Sequence, residues 1–131
     1  MKEAIHPTHT CFDDALDFLA DLSKNFPAAL YFERYRLVHA ICTMPDGQPY
    51  AHAWVETYAG TAHFFGILKG ERVRVTVDAA EYRQELKMQH VTEYTPEEAW
   101  EENRKSENFG PWIPRYRELC KDSGQRKEAA A

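Results

Sequence analysis

Residues 35–58 read YRLVHAICTMPDGQPYAHAWVETY. Two apolar runs flank Asp46-Gly47, a dipeptide that favours a tight hairpin because both positions tolerate positive φ. Tyr35 to Met44 is apolar on both faces, as a central strand must be, and Pro49 to Tyr58 returns beside it. With a two-residue turn the paired residue numbers sum to 93, so His52 faces Ile41, Cys42 faces Ala51 and His39 faces Trp54. Cross-strand partners share a face and sequence neighbours do not, so Cys42 is expected to point away from His52. A three-residue loop would reverse that assignment.

Outward from the hairpin, Ala59-Gly60 and Lys69-Gly70 close two further turns into TAHFFGIL and ERVRVTV. The second run alternates, with Val73, Val75 and Val77 inward and Arg72, Arg74 and Thr76 outward, completing a four-stranded antiparallel meander. Upstream, CFDDALDFLADLSK spaces Phe12, Ala15, Leu16, Leu19, Ala20 and Leu22 as one helical stripe. Thr10 can cap that helix with Asp13, and Asp13 and Asp14 suit its positive end. Pro27 ends it, and a short second helical segment is expected in FPAALYFERY. Downstream, Asp78 with Glu81 opens a helix through AAEYRQELKM, and a short strand is expected near QHVTEY. Thr95, Pro96 and Glu98 start the helix TPEEAWEENRKS, which NFGPWIP ends. Tyr94, Trp100, Trp112 and Tyr116 read as packing anchors for that last helix.

The order is helix, antiparallel sheet of about four strands, then helices, which defines an α+β fold. The 131 residues suit one domain, with 1–9 and 122–131 as flexible ends. Hydrophobic residues are 44% and charged residues 28%, ordinary for a globular chain. No apolar run approaches a membrane span, and the opening MKEAIHPTHT lacks a secretory pattern, so a cytoplasmic location without membrane contact is expected. A net charge of −5 with scattered Lys and Arg argues against nucleic-acid binding.

Three cysteines, Cys11, Cys42 and Cys120, are too widely spaced for a disulfide framework or a CxxC zinc site. His6 and His9 lie near Cys11 but lack a usual zinc spacing, so neither metal nor cofactor is expected. A thiol is a useful nucleophile only as thiolate, and a helix N-terminus with a neighbouring imidazole favours that state. Cys11 meets the first condition. His52 is the leading candidate for the second, with His39 as an alternative imidazole. Trp54 shares the face of His52 and suits either a substrate wall or the core. A cysteine early in a helix is also, commonly, a small core residue.

The strings TCFDDAL, LVHAICTMPDGQPYAHAWVE and VTEYTPEEAWEENRKSENFGPW resemble a set of small bacterial and phage proteins over about residues 8–113. The Cys-then-HAWVE layout is also similar to papain-like and transglutaminase-like cysteine hydrolases, including proteases of lasso-peptide maturation. That resemblance implies a Cys11 nucleophile, His52 as general base and then acid, and backbone N–H groups at the helix start as oxyanion donors. It also implies an orienting acid roughly a dozen residues past the histidine. That position falls near His63, in a strand without any acid. Glu56 shares a face with His52 but lies about 13 Å along the strand. His63, a backbone carbonyl, or no third group at all then completes the site.

Two functions follow. One is a cysteine hydrolase or acyltransferase acting on an amide or thioester of a protein or peptide substrate. The other is a non-catalytic binding module on the same scaffold, an accessory or host-interaction protein of a phage. Nothing in the sequence sets the oligomeric state.

Overall fold

The computed structural model describes residues 6–7, 11–24 and 34–119. Helix α1 spans Cys11–Ser23. Strands β2 (Tyr35–Thr43), β3 (Pro49–Thr57), β4 (Thr61–Leu68) and β5 (Glu71–Asp78) follow as an antiparallel meander. Helix α2 (Ala79–Leu86), strand β6 (His90–Tyr94) and helix α3 (Pro96–Ser106) complete it, with a further helical turn at 114–119. Strand β6 pairs with β2, so five longer strands form the sheet where about four were expected. A two-residue strand β1 (His6–Pro7) adds a short ladder to β4, within the end expected to be flexible. Thr10, the segment after Pro27, His9, Cys120 and the tail lie outside the described residues.

The caps explain where the later helices begin. Asp78 accepts from the Glu81 amide at 3.0 Å. Thr95 and Glu98 exchange both bonds of a capping box, at 3.1 and 2.9 Å, with Pro96 in the first turn. These side chains satisfy amides that a helix start leaves without partners.

The hairpin register departs from the expected one. Met44 and Gln48 close the loop, the Gly47 amide donates to the Met44 carbonyl at 2.8 Å, and Gly47 has φ +90°. This is a three-residue loop whose last position needs the left-handed conformation that glycine supplies. Paired numbers therefore sum to 92: Ala40 faces His52, Cys42 faces Tyr50, and His39 faces Ala53. Cys42 thus shares a face with His52, which corrects the two-residue reading.

Helices cover both faces of the sheet. On one side Phe12, Ala15, Leu16, Phe18 and Leu19 of α1 pack on Leu37, Ala53 and Val55, joined by Tyr94, Ala99 and Trp112. On the other, Ala79 and Tyr82 of α2 pack on Val38, Ala40, Cys42, Trp54 and Ala62. The α1 face also carries a buried acid. Asp14 accepts from Arg72 at 2.9 Å, which makes a charge tolerable inside an otherwise apolar stripe.

Strands β3 and β4 pair beside their turn, at Val55↔His63 and Glu56↔Ala62. Farther along, β4 pairs with β1 at Gly66 and Ile67, while β5 occupies the other edge of β4 from end to end. A strand has two edges, so β1 must take the β3-side edge of β4, and β3 and β4 part beyond Val55. Helix α1 starts four residues after β1.

Candidate functional site

Cys11 opens α1, is half-buried, and packs with the α1-side core. His52 sits on the other face, because alternation along β3 sends Ala51, Ala53 and Val55 toward α1 and His52 and Trp54 toward α2. Nε2 of His52 and the Tyr82 hydroxyl share a hydrogen bond of 2.7 Å. The imidazole also meets Tyr50, Trp54 and Tyr82, with ring centroids 6.1, 5.4 and 6.1 Å away. Burial holds its pKa down to about 4, so the ring is neutral at physiological pH. The contacts of His52 run to Tyr82, Tyr50 and Trp54, while Cys11 packs at the margin of the α1-side core.

The Tyr50 and Tyr82 hydroxyls titrate above their ordinary value, chiefly through burial, with Cys42 and Cys11 adding electrostatically in each case.

Trp54 is fully buried, and its Nε1 donates to Glu56 at 2.8 Å. Glu56 also accepts two bonds from Arg83, at 2.7 and 2.8 Å, and Arg83 reaches Glu93 at 3.1 Å. The carboxylate nearest in sequence to His52 on its face is thus committed to α2 and cannot orient the imidazole. Trp54 is an interior wall with no open side for a substrate.

His39 lies on the face of Cys11, where the alternative imidazole was expected. It is fully buried against Phe12, Tyr94 and Trp112, with ring centroids 4.7, 5.0 and 5.1 Å away. Gly110 closes the cage: a Cβ there would stand 2.8 Å from Cε1 of His39. Neither ring nitrogen has a hydrogen-bond partner, and burial alone drives the pKa to about 3. This is a neutral ring used as an aromatic plate.

His63, expected as a third catalytic group, turns to the α1 face and stacks against Phe18 at 5.3 Å. Its nitrogens meet Thr61 at 3.3 Å and Thr76 at 3.0 Å, and burial with the nearby Arg74 lowers its pKa. It does not meet His52. Cys42 shares the His52 face, but burial pushes its thiol up to about 12 despite a hydrogen bond with Tyr50, which keeps it a protonated, inert thiol.

Among the described residues no cluster of three His, Cys, Asp or Glu side chains could hold a metal ion. No described helix is long and apolar enough to cross a membrane. A shallow groove lies beside the second half of α1, lined by Phe18, Leu22 and Phe65 with Asp21 and Arg74. Phe18 is two turns from Cys11, about 10 Å along the helix axis.

Sequence reasoning missed Tyr82, the partner of His52, and the Arg83 link to Glu56. Both lie on α2, four and five residues after its cap. Helical spacing from Ala79 aims Tyr82 at the sheet, but only the pairing of β4 with β5 decides which strand it meets.

Fold and geometry define an α+β protein whose antiparallel sheet carries helices on both faces. Beyond that class, no family model, curated protein or solved structure matches the chain.

Proposed function

We propose that this chain is a non-catalytic binding module, built on a scaffold with the element order of papain-like and transglutaminase-like hydrolases. The observation that supports it is the engagement of His52, a buried neutral ring bonded to Tyr82 at 2.7 Å, while Cys11 packs with the α1-side core. Acyl transfer through a thiol needs base and sulfur within about one hydrogen bond. Here His39 and His52 are neutral, buried and enclosed by aromatic rings, and the acid nearest His52 in sequence on its face is held by Arg83. The groove beside Phe18 and Phe65, with Arg74 and Asp21 at its rim, suits a peptide segment of a protein partner.

A second reading keeps the chemistry: a cysteine hydrolase or acyltransferase acting on an amide or thioester, with Cys11 as nucleophile. It is favoured by the position of Cys11 in the first turn of α1 and by its field at Tyr82, the residue that holds His52. Intact-mass spectrometry with a small acyl thioester separates the two. The binding reading expects Cys11 to acylate no faster than glutathione under the same conditions. A burst of acyl-protein that Cys11→Ala abolishes would replace it with the hydrolase reading.

A further inference from the structure

We propose that two copies of this chain pair antiparallel through the outer edge of β5, extending one continuous sheet across a two-fold axis at Val75. Strand β5 pairs with β4 from Glu71 to Asp78, and no described strand pairs with its other edge. The strand has eight residues, no proline and no bulge in its ladder, so it lacks several devices that normally blunt an exposed edge.

The amide directions set the possible registers. The Ala79 amide donates to Gly60 at 2.8 Å, continuing the ladder in which β4 and β5 numbers sum to 139. Odd-numbered amides of β5 therefore face β4, and those of Arg72, Arg74 and Thr76 face outward. A two-fold axis perpendicular to the sheet keeps each face matched with itself, so even residues pair with even ones.

Two registers centre the strands. Pairing about Arg74 sets the two Arg74 guanidinium groups against each other, a like-charge contact that disfavours it. Pairing about Val75 matches each Arg72 with Asp78 of the other copy, Arg74 with Thr76, Val73 with Val77, and Val75 with itself. It joins the half-buried valines of the α2 face into one cross-strand row and sets Arg72, which also holds Asp14, opposite the Asp78 cap of the other copy, opposite charges rather than like ones. The edge is thus self-complementary in one register. A second copy, rather than an unrelated strand, is the partner it fits.

Sedimentation equilibrium on the full chain tests this, read alongside cysteine cross-linking. The wild type is expected to reach twice 15.2 kDa at tens of micromolar, a range roughly suited to so small an interface. Thr76→Pro removes an outward amide together with the hydroxyl bond to His63, and Thr76→Val removes only the latter; Thr76→Pro alone should return the mass to 15.2 kDa, with the circular dichroism of both unchanged. Val75→Cys places two sulfurs across a non-hydrogen-bonded pair, where Cα atoms lie about 4.5 Å apart, and should form a covalent dimer on mild oxidation. Val73→Cys, about 13 Å from its own copy in this register, should not. A wild type that stays monomeric at millimolar concentration overturns the proposal. So does a dimer that survives Thr76→Pro, or equal cross-linking through both cysteine positions.

Discussion

Nε2 of His52 and the hydroxyl of Tyr82 stand 2.7 Å apart, joining the middle of β3 to α2 across thirty residues of sequence. The bond satisfies a ring nitrogen in a site that burial keeps neutral, and it holds the imidazole against α2. Tyr82→Phe keeps the ring stacked on Phe64 at 4.5 Å and edge-on to Trp54, but leaves that nitrogen without its partner. An unsatisfied buried group costs about 1–3 kcal/mol. Urea unfolding should show a lower midpoint with an unchanged slope. A midpoint equal to wild type would mean that His52 is satisfied some other way.

Acid should destabilise the fold through its two sealed imidazoles. His39 and His52 have pKa values near 3 and 4, below the ordinary histidine value near 6.5. Between those limits the unfolded chain binds more protons than the folded one. The stability these groups carry is therefore complete above pH 6.5 and drains as pH falls toward 4. At pH 5 the loss is about 2 kcal/mol per histidine. Thermal melts should show Tm falling by roughly ten degrees or more between pH 7 and pH 5. His39→Leu removes the two nitrogens that lack partners, and should keep the pH 7 Tm while reducing that slope by about half. An unaltered slope would place the acid sensitivity elsewhere.

Gly110 is fixed by backbone and neighbour together. Its φ of +106° is one an L side chain rarely adopts, and a Cβ would meet Cε1 of His39 at 2.8 Å and Cδ1 of Phe12 at 3.4 Å. Gly60 shares the conformation, with φ +91°, but has nothing within 4 Å. Gly60→Ala should cost about 1 kcal/mol and Gly110→Ala about 2–5 kcal/mol, strain and overpacking adding in the second. Equal costs would show that the loop can lift from the His39 cage.

Local chemistry made most of the fold legible. The valine alternation of β5, the Asp78 cap and the Thr95–Pro96–Glu98 start each depend on neighbours a few residues away, and each stands where expected. Strand β6 was legible as an element, but its place beside β2 is a long-range pairing without a local signal. The site was far less legible, because it depended on one residue of register. Asp46-Gly47 supports either a two-residue turn or the last part of a three-residue loop. The difference moves Cys42 from one face of the sheet to the other. His52 was correctly placed on the face of Trp54, yet nothing near Cys11 in sequence says which face α1 will cover.

The pH profile of Cys11 alkylation tests the separation of thiol and imidazole most directly. Iodoacetamide rates at Cys11, read by peptide mass spectrometry between pH 5.5 and 9, would be compared in wild type and His52→Asn. With His52 turned toward Tyr82 and no proton passing between ring and sulfur, the two profiles should superimpose within about twofold. Fast alkylation near pH 6 that disappears in His52→Asn would mean that the pair forms in solution, and would contradict the structural role assigned to His52.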